Sequence, residues 1–352
     1  MLLIDGHLDL AMNALSLNRD LTQNVFEIRK QEAGMSGKGR AMGTVSFPEM
    51  RKGEVGVCLA TLIARIRRKG NPLEGYNSPE IAYAMAQGQL AYYRVLESQG
   101  QIRIIKDWET LSSHVEEWQR SSRRDVPLGF ILSMEGADPI IKPAQLKSWW
   151  ETGVRVVSLS HYGVSTYAHG TGTKGGLTSL GRELLENMYS IGVVLDVSHL
   201  SEESFWEALD LFPGPVIASH NNCRALVPGD RQFSDEQIRA LIKRNAVIGV
   251  SLDAWMLYPG WIKGKTSNTV VSMEAVVDQM EHIYRLAGNS RNVAIGSDLD
   301  GGFGKEQCPH DLDTIADLQT IPRLLKKRGY TNGDVENIMW KNWLQLFQQA
   351  WS

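Results

Sequence analysis

Eight short apolar runs rich in β-branched residues recur along the chain, and they constrain its fold more than any other feature. They span residues 2–6, 55–64, 128–135, 154–161, 193–199, 215–220, 247–252 and 293–299. Each is near-continuous rather than alternating, the pattern of a parallel strand covered on both faces. Between them lie segments of helical period at 79–98, 143–151, 178–190, 202–211, 235–244 and 273–287. Ser201 and Ser234 each precede acidic residues, which predicts capped helix starts, and Pro79 and Pro143 suit a first turn that needs no N–H. Strands alternating with helices in this way predict an α/β fold of the (β/α)8 TIM-barrel type, as a single domain over 1–352. A doubly wound open sheet would carry a glycine-rich phosphate loop after its first strand, and none is present.

Two segments break the rhythm. Residues 11–54 are too long for a simple crossover, and their polar stretch Lys30–Gly43 predicts an inserted loop over the barrel mouth. The Gly/Thr-rich segment 162–177 follows the fourth run on the same side. Closing helices are expected over about 312–350, as 312–328 and 332–350; Trp340, Trp343 and Trp351 there suit packing or a homodimer contact. The 37 basic and 40 acidic residues give a net charge of −3, which argues against a nucleic-acid partner. Cys58, Cys223 and Cys308 form neither a disulfide framework nor a CxxC metal site. No apolar run approaches the ~18 residues of a membrane span, and the opening MLLIDGHLDL lacks a basic leader. The expectation is a soluble cytoplasmic protein without a membrane partner.

A barrel builds its active site where its strands end, and those positions hold the polar chemistry. His7 and Asp9 follow the first run; Glu135, His161, His199, His220 and Asp298 end the third, fourth, fifth, sixth and eighth. Four of the eight histidines fall at these ends, where chance would place about one. A single histidine in a buried strand is ordinarily a satisfied core residue. Five donors on four run ends point instead to a metal site, since imidazole nitrogen and carboxylate oxygen suit Zn2+ and similar ions. His7 and Asp9, two apart on an extended segment, share one side and can chelate one ion. His199 and His220 can hold a second, with Glu135 bridging the two. Asp196, Ser198 and Ser219 are candidate supports. Asp5 is expected to brace the barrel base. Of the two acids in GSDLDGG, Asp298 suits chemistry better than Asp300 because it occupies the strand end. Arg231, as a lone arginine, would ordinarily be a solvated surface residue.

Taken in order, DGHLDL, SMEGAD, SLSH, LDVSHLS, ASHNNCRAL, GDRQF and GSDLDGG resemble the renal (membrane) dipeptidase family of zinc peptidases, from residue 4 to about 302. The resemblance implies a (β/α)8 metal-dependent hydrolase that cleaves dipeptides, including those with a C-terminal D-residue, through a hydroxide bridging two zinc ions. It implies His7 and Asp9 as ligands of one zinc, Glu135 as the bridge, and His199 with His220 as ligands of the other. It further implies His161 at the reacting group of the substrate, Arg231 on the substrate carboxylate and Asp298 as the acid/base. Mn2+ or Co2+ also suit these N/O donors.

Leu8 and Gln232 stand where the family usually has Asn, and the second run and HNNCRAL also depart from its pattern. All ligand positions survive, so the departures bear on substrate choice. The alternative is a barrel amidohydrolase acting on a non-peptide amide or ester. Such relatives open with His-x-His and bridge through a modified lysine, where this chain has His-x-Asp and Glu135. A non-catalytic barrel would have lost ligands or Asp298, and none is lost.

Overall fold

All eight apolar runs form parallel strands, and a ninth joins them. In the computed structural model, which describes residues 1–120 and 126–351, these are β1 (Leu3–Leu8), β2 (Val55–Leu62), β3 (Ile102–Ile104), β4 (Leu128–Met134), β5 (Val154–Ser158), β6 (Val194–Asp196), β7 (Val216–Ala218), β8 (Val247–Val250) and β9 (Val293–Ile295). β1 pairs with both β2 and β9, and β2 pairs with β4, so eight strands close into a parallel barrel without β3. Apart from Arg103 in β3, every strand residue is buried, which is why the runs are continuous in sequence.

β3 was not expected. It takes the lower edge of β4, opposite Leu128–Phe130, and β5 takes that edge from Leu132 onward. Three residues interrupted by Arg103 are too short to register as an apolar run. A helix at Trp108–Arg120 was missed as well. It buries Leu111, His114, Val115 and Trp118, a helical stripe in which a histidine takes an apolar place. The expected helices form as Pro79–Ser98, Leu146–Thr152, Ser179–Ile191, Glu202–Leu211, Asp235–Lys243 and Met273–Ala287. Ser201 and Ser234 cap theirs, accepting from Ser204 N and Gln237 N.

The 11–54 segment contains two of three short helices, Val25–Gln31 and Phe47–Lys52, and most of the third, Leu10–Ser16. Asp300 fastens it to the end of β9. Its carboxylate accepts from Thr44 N and Thr44 Oγ1 at 2.8 Å and from Val45 N at 3.0 Å. Buried Arg19 ties the same loop together, donating to Glu32 Oε1 (2.8 Å), Asn13 Oδ1 (2.9 Å) and Gly39 O (2.6 Å). Asp5 braces β1 to β9, accepting from His7 N at 3.1 Å and Ser297 N at 2.8 Å; it lies just under the strand ends, not at the base.

The closing segment breaks into a 3-10 stretch and helix (Ile315–Thr320, Ile321–Lys327), then Asn332–Glu336, a π-turn and Asn342–Trp351. Trp343 is fully buried and donates from Nε1 to Ile295 O of β9 at 2.9 Å. Gly6 makes room for it, since a Cβ there would lie 2.5 Å from the indole. Within the chain, then, the C-terminal tryptophans serve packing.

Candidate metal centre

The predicted residues converge. His7 lies near the end of β1, with Asp9 just beyond it; Glu135 follows β4, His161 lies past β5, His199 past β6, His220 past β7 and Asp298 past β9. Two of these positions are strained: His199 and Asp298 have φ of +66° and +58°, in the left-handed region that costs a non-glycine residue free energy.

Glu135 is the hub. Its Oε1 lies 3.3 Å from His199 Nε2, 3.4 Å from His220 Nε2, and 3.6 Å from the Nε2 atoms of both His7 and His161. His199 Nε2 and His220 Nε2 are 3.0 Å apart, and His7 Nε2 is 3.7 Å from Asp9 Oδ1. Donors arranged tetrahedrally at the ~2.0–2.1 Å of a zinc–nitrogen or zinc–oxygen bond are about 3.3–3.4 Å from one another. Glu135, His199 and His220 are close to that spacing, and His7, Asp9 and Glu135 are slightly wider. Both trios bring their ligand atoms together within 4.8 Å. His7 adds an independent sign: it is buried, and neither ring nitrogen has a hydrogen-bond partner among the described residues. The residues present therefore fit a pair of divalent cations.

Neighbouring groups set the proton positions. Ser219 Oγ donates to Asp196 Oδ2 at 2.6 Å, so it is free to accept from His220 Nδ1 at 2.8 Å. Thr171 Oγ1 donates to His199 O and lies 3.2 Å from His199 Nδ1. Both arrangements leave the Nε2 lone pair facing Glu135. His161 is opposite. Arg65, which can only donate, bonds its Nδ1, so the neutral ring carries its proton on Nε2.

Electrostatics agree with these forms. Burial drives His161 and His220 well below the usual histidine range and His199 down to about 3, so all three are neutral. Burial would depress His7 too, but Glu135, Asp9 and Asp298 override it and lift the ring to about 10. A divalent cation answers the same negative charge. Asp9 is pushed up to about 6 by burial and then by Glu135. Burial raises Asp298 well above the usual carboxylate range, with Asp9, Glu135 and Asp253 adding to it against His7.

The centre opens into a cavity of about 500 Å³ lined by Asp9, Glu135, His161, His199, His220, Arg231 and Asp298. Arg231 is buried rather than solvated, held by Asn221 Oδ1 and by His220 O at 2.7 Å. Arg65, Tyr162, Asp253, Lys38 and Lys263 also line the cavity and were missed. Arg65 and Asp253 follow directly on the second and seventh apolar runs, so a census reaching slightly past each run would have found them. Lys38 and Lys263 lie on long loops, and no spacing in the sequence marks them.

A model of the membrane dipeptidase family (peptidase family M19) matches residues 1–351. The chain belongs to the membrane dipeptidase family. Its members are metallopeptidases, so this chain is a hydrolase of the metallo-dipeptidase type. Dipeptidase aclJ of Aspergillus oryzae is 24% identical over 350 residues, covering 98% of this chain and 77% of that protein. Among solved structures, dipeptidase AC, a metallopeptidase, superposes with a TM-score of 0.82 at 22% identity, covering 100% of this chain and 99% of that one. A Rhodobacter sphaeroides metallopeptidase liganded with a phosphinate mimic of the dipeptide L-Ala-D-Ala gives 0.81 at 21%, with the same coverage. At these identities the likeness shows a shared barrel.

Proposed function

We propose that this membrane-dipeptidase-family enzyme hydrolyses dipeptides with a free C-terminal carboxylate, using two zinc ions held by His7, Asp9 and Glu135 and by Glu135, His199 and His220. The carrying observation is the pair of donor trios that share Glu135. Two divalent cations bound there would supply a water deprotonated near neutral pH and a Lewis acid for the scissile carbonyl. Arg231 receives the substrate carboxylate, with three of its five N–H groups uncommitted to acceptors among the described residues. His161, whose Nε2 proton follows from the Arg65 bond to Nδ1, donates to the oxygen on which charge develops. Asp298 takes the proton of the attacking water and returns it to the leaving amine, a role suited to a carboxyl whose proton affinity burial has raised. The bound mimic in the Rhodobacter relative supports a D-residue on the C-terminal side.

We also propose that the enzyme works in the cytoplasm as a homodimer. Its three cysteines are buried and unpaired, and among the described residues no helix is long and apolar enough to cross a membrane. Sedimentation at micromolar concentration tests the dimer.

The deciding experiment assays metal-replete protein against L-L and L-D dipeptides, alongside Arg231→Ala, with bound metal measured by elemental analysis. Two ions per chain and turnover of free dipeptides are expected, with KM raised at least ~10-fold in the variant by loss of a charge-assisted pair. A metal-replete protein inert toward every dipeptide would overturn the reading. Equal activity on carboxyl-blocked substrates would remove the role given to Arg231.

A further inference from the structure

The sector of the mouth between Arg231 and Asp298 carries two cations that the mechanism does not use. Lys263 comes from the long loop after β8, and Lys38 from the loop that Asp300 and Arg19 hold against the end of β9. Both line the cavity of the metal centre. Aromatic rings support them: Lys38 Nζ lies 5.9 Å from the centre of Phe303, and Lys263 Nζ 4.6 Å from that of Trp255. Neither has a carboxylate within ion-pair distance among the described residues. The acid near them, Asp253, accepts from Gln307 Nε2 at 2.7 Å and from Trp255 N, both at Oδ1, and feels both ammonium charges without forming an ion pair with either. Each lysine lines the cavity, and among the described residues its ammonium has donors to spare.

Charge across the whole cavity points the same way. Asp9, Glu135, Asp253 and Asp298 are offset by Lys38, Arg65, Arg231 and Lys263. Two divalent cations with one hydroxide would then leave the site net positive. A dipeptide with a neutral side chain is a zwitterion and brings no net charge to balance that excess. A dipeptide with one acidic side chain brings a negative charge.

The proposed mechanism fixes which residue should carry the acid. Asp298 delivers a proton to the amide nitrogen of the C-terminal residue, and Arg231 holds that residue's carboxylate. The C-terminal residue then spans the sector over β7 to β9, where Lys38 and Lys263 lie. We propose that Lys38 and Lys263 form a second anion subsite that selects dipeptides whose C-terminal residue is acidic, aspartate or glutamate. The inference rests on the dipeptidase reading above and adds the substrate class to it.

The test compares kcat/KM for Ala-Asp, Ala-Ala, Asp-Ala and Ala-Lys, with either configuration at the C-terminal residue, in the metal-replete enzyme and in Lys38→Met/Lys263→Met. The enzyme should favour Ala-Asp over Ala-Ala by about 10-fold or more, the scale of one charge-assisted hydrogen bond, and the double variant should erase that ratio. Lys263→Glu should move the preference toward Ala-Lys. Calorimetric binding of the same peptides to Asp298→Asn gives a readout independent of turnover. If no peptide is hydrolysed, the dipeptidase reading fails, while tighter binding of Ala-Asp that the lysine substitutions abolish still supports the subsite. No preference for Ala-Asp in rate or binding, a preference for Asp-Ala, or an Ala-Asp ratio that survives the double variant overturns it.

Discussion

Gly301→Ala tests the placement of Asp298 more sharply than removing Asp298 itself. A Cβ on Gly301 would lie 1.9 Å from Asp298 Oδ1, where real Cβ contacts essentially never fall below 3.0 Å. The carboxylate must therefore withdraw by about 1.1 Å. Most of the clash is with the far end of a rotatable side chain; Asp298 O, at 2.8 Å, asks the backbone to give by only about 0.2 Å, and Gly301 is not in the left-handed region, so the fold loses little. Catalysis should lose much more: a displacement of ~1 Å at a reacting group costs on the order of 100-fold, about 2.7 kcal/mol in the barrier. We expect kcat on a neutral dipeptide to fall about 100-fold, with bound metal retained and Tm within a few degrees of the parent. Because Gly301 also lines the cavity, the same change is made in Asp298→Asn. If the methyl acts by displacing the carboxylate, it should cost little further there. Additive losses, or a Gly301→Ala enzyme with near-parental kcat, would refute the reasoning.

Two further outcomes follow from the centre. Ser219→Ala removes the acceptor for His220 Nδ1 and should weaken metal binding by about 10–100-fold, while His220→Ala should abolish turnover and lower bound metal; elemental analysis after dialysis reads both. In metal-stripped protein, His199 has its pKa depressed to about 3, chiefly by burial and then by Arg231, against about 6.5 in the unfolded chain. Its contribution to stability is therefore full above pH 6.5 and is lost as pH falls toward 3, because only the unfolded chain takes up the proton in that window. Urea midpoints measured between pH 7 and 4 should fall more steeply for the parent than for His199→Asn, and parallel curves would contradict the assignment.

Much of this protein was legible before any coordinates. A parallel strand buried on both faces must be apolar along its length, so the eight barrel strands announced themselves as continuous runs. A polar residue at the end of such a run is costly to bury without a partner, which made His7, Glu135, His199, His220 and Asp298 conspicuous. Patterns of this kind are local, and local physics imposes them on the sequence. The parts that depended on distant chain were not legible in this way. β3 is held by the edge of β4 more than by its own three residues. The burial of Arg231, the bond that fixes the tautomer of His161, and the station of Lys38 at the mouth join residues that are 11 to 256 positions apart. No periodicity or spacing records such contacts, because the barrel's closure creates them. The sequence determined which imidazole and carboxylate donors would gather at the strand ends. Tertiary structure decided which way their lone pairs and protons point, and which cations stand beside them.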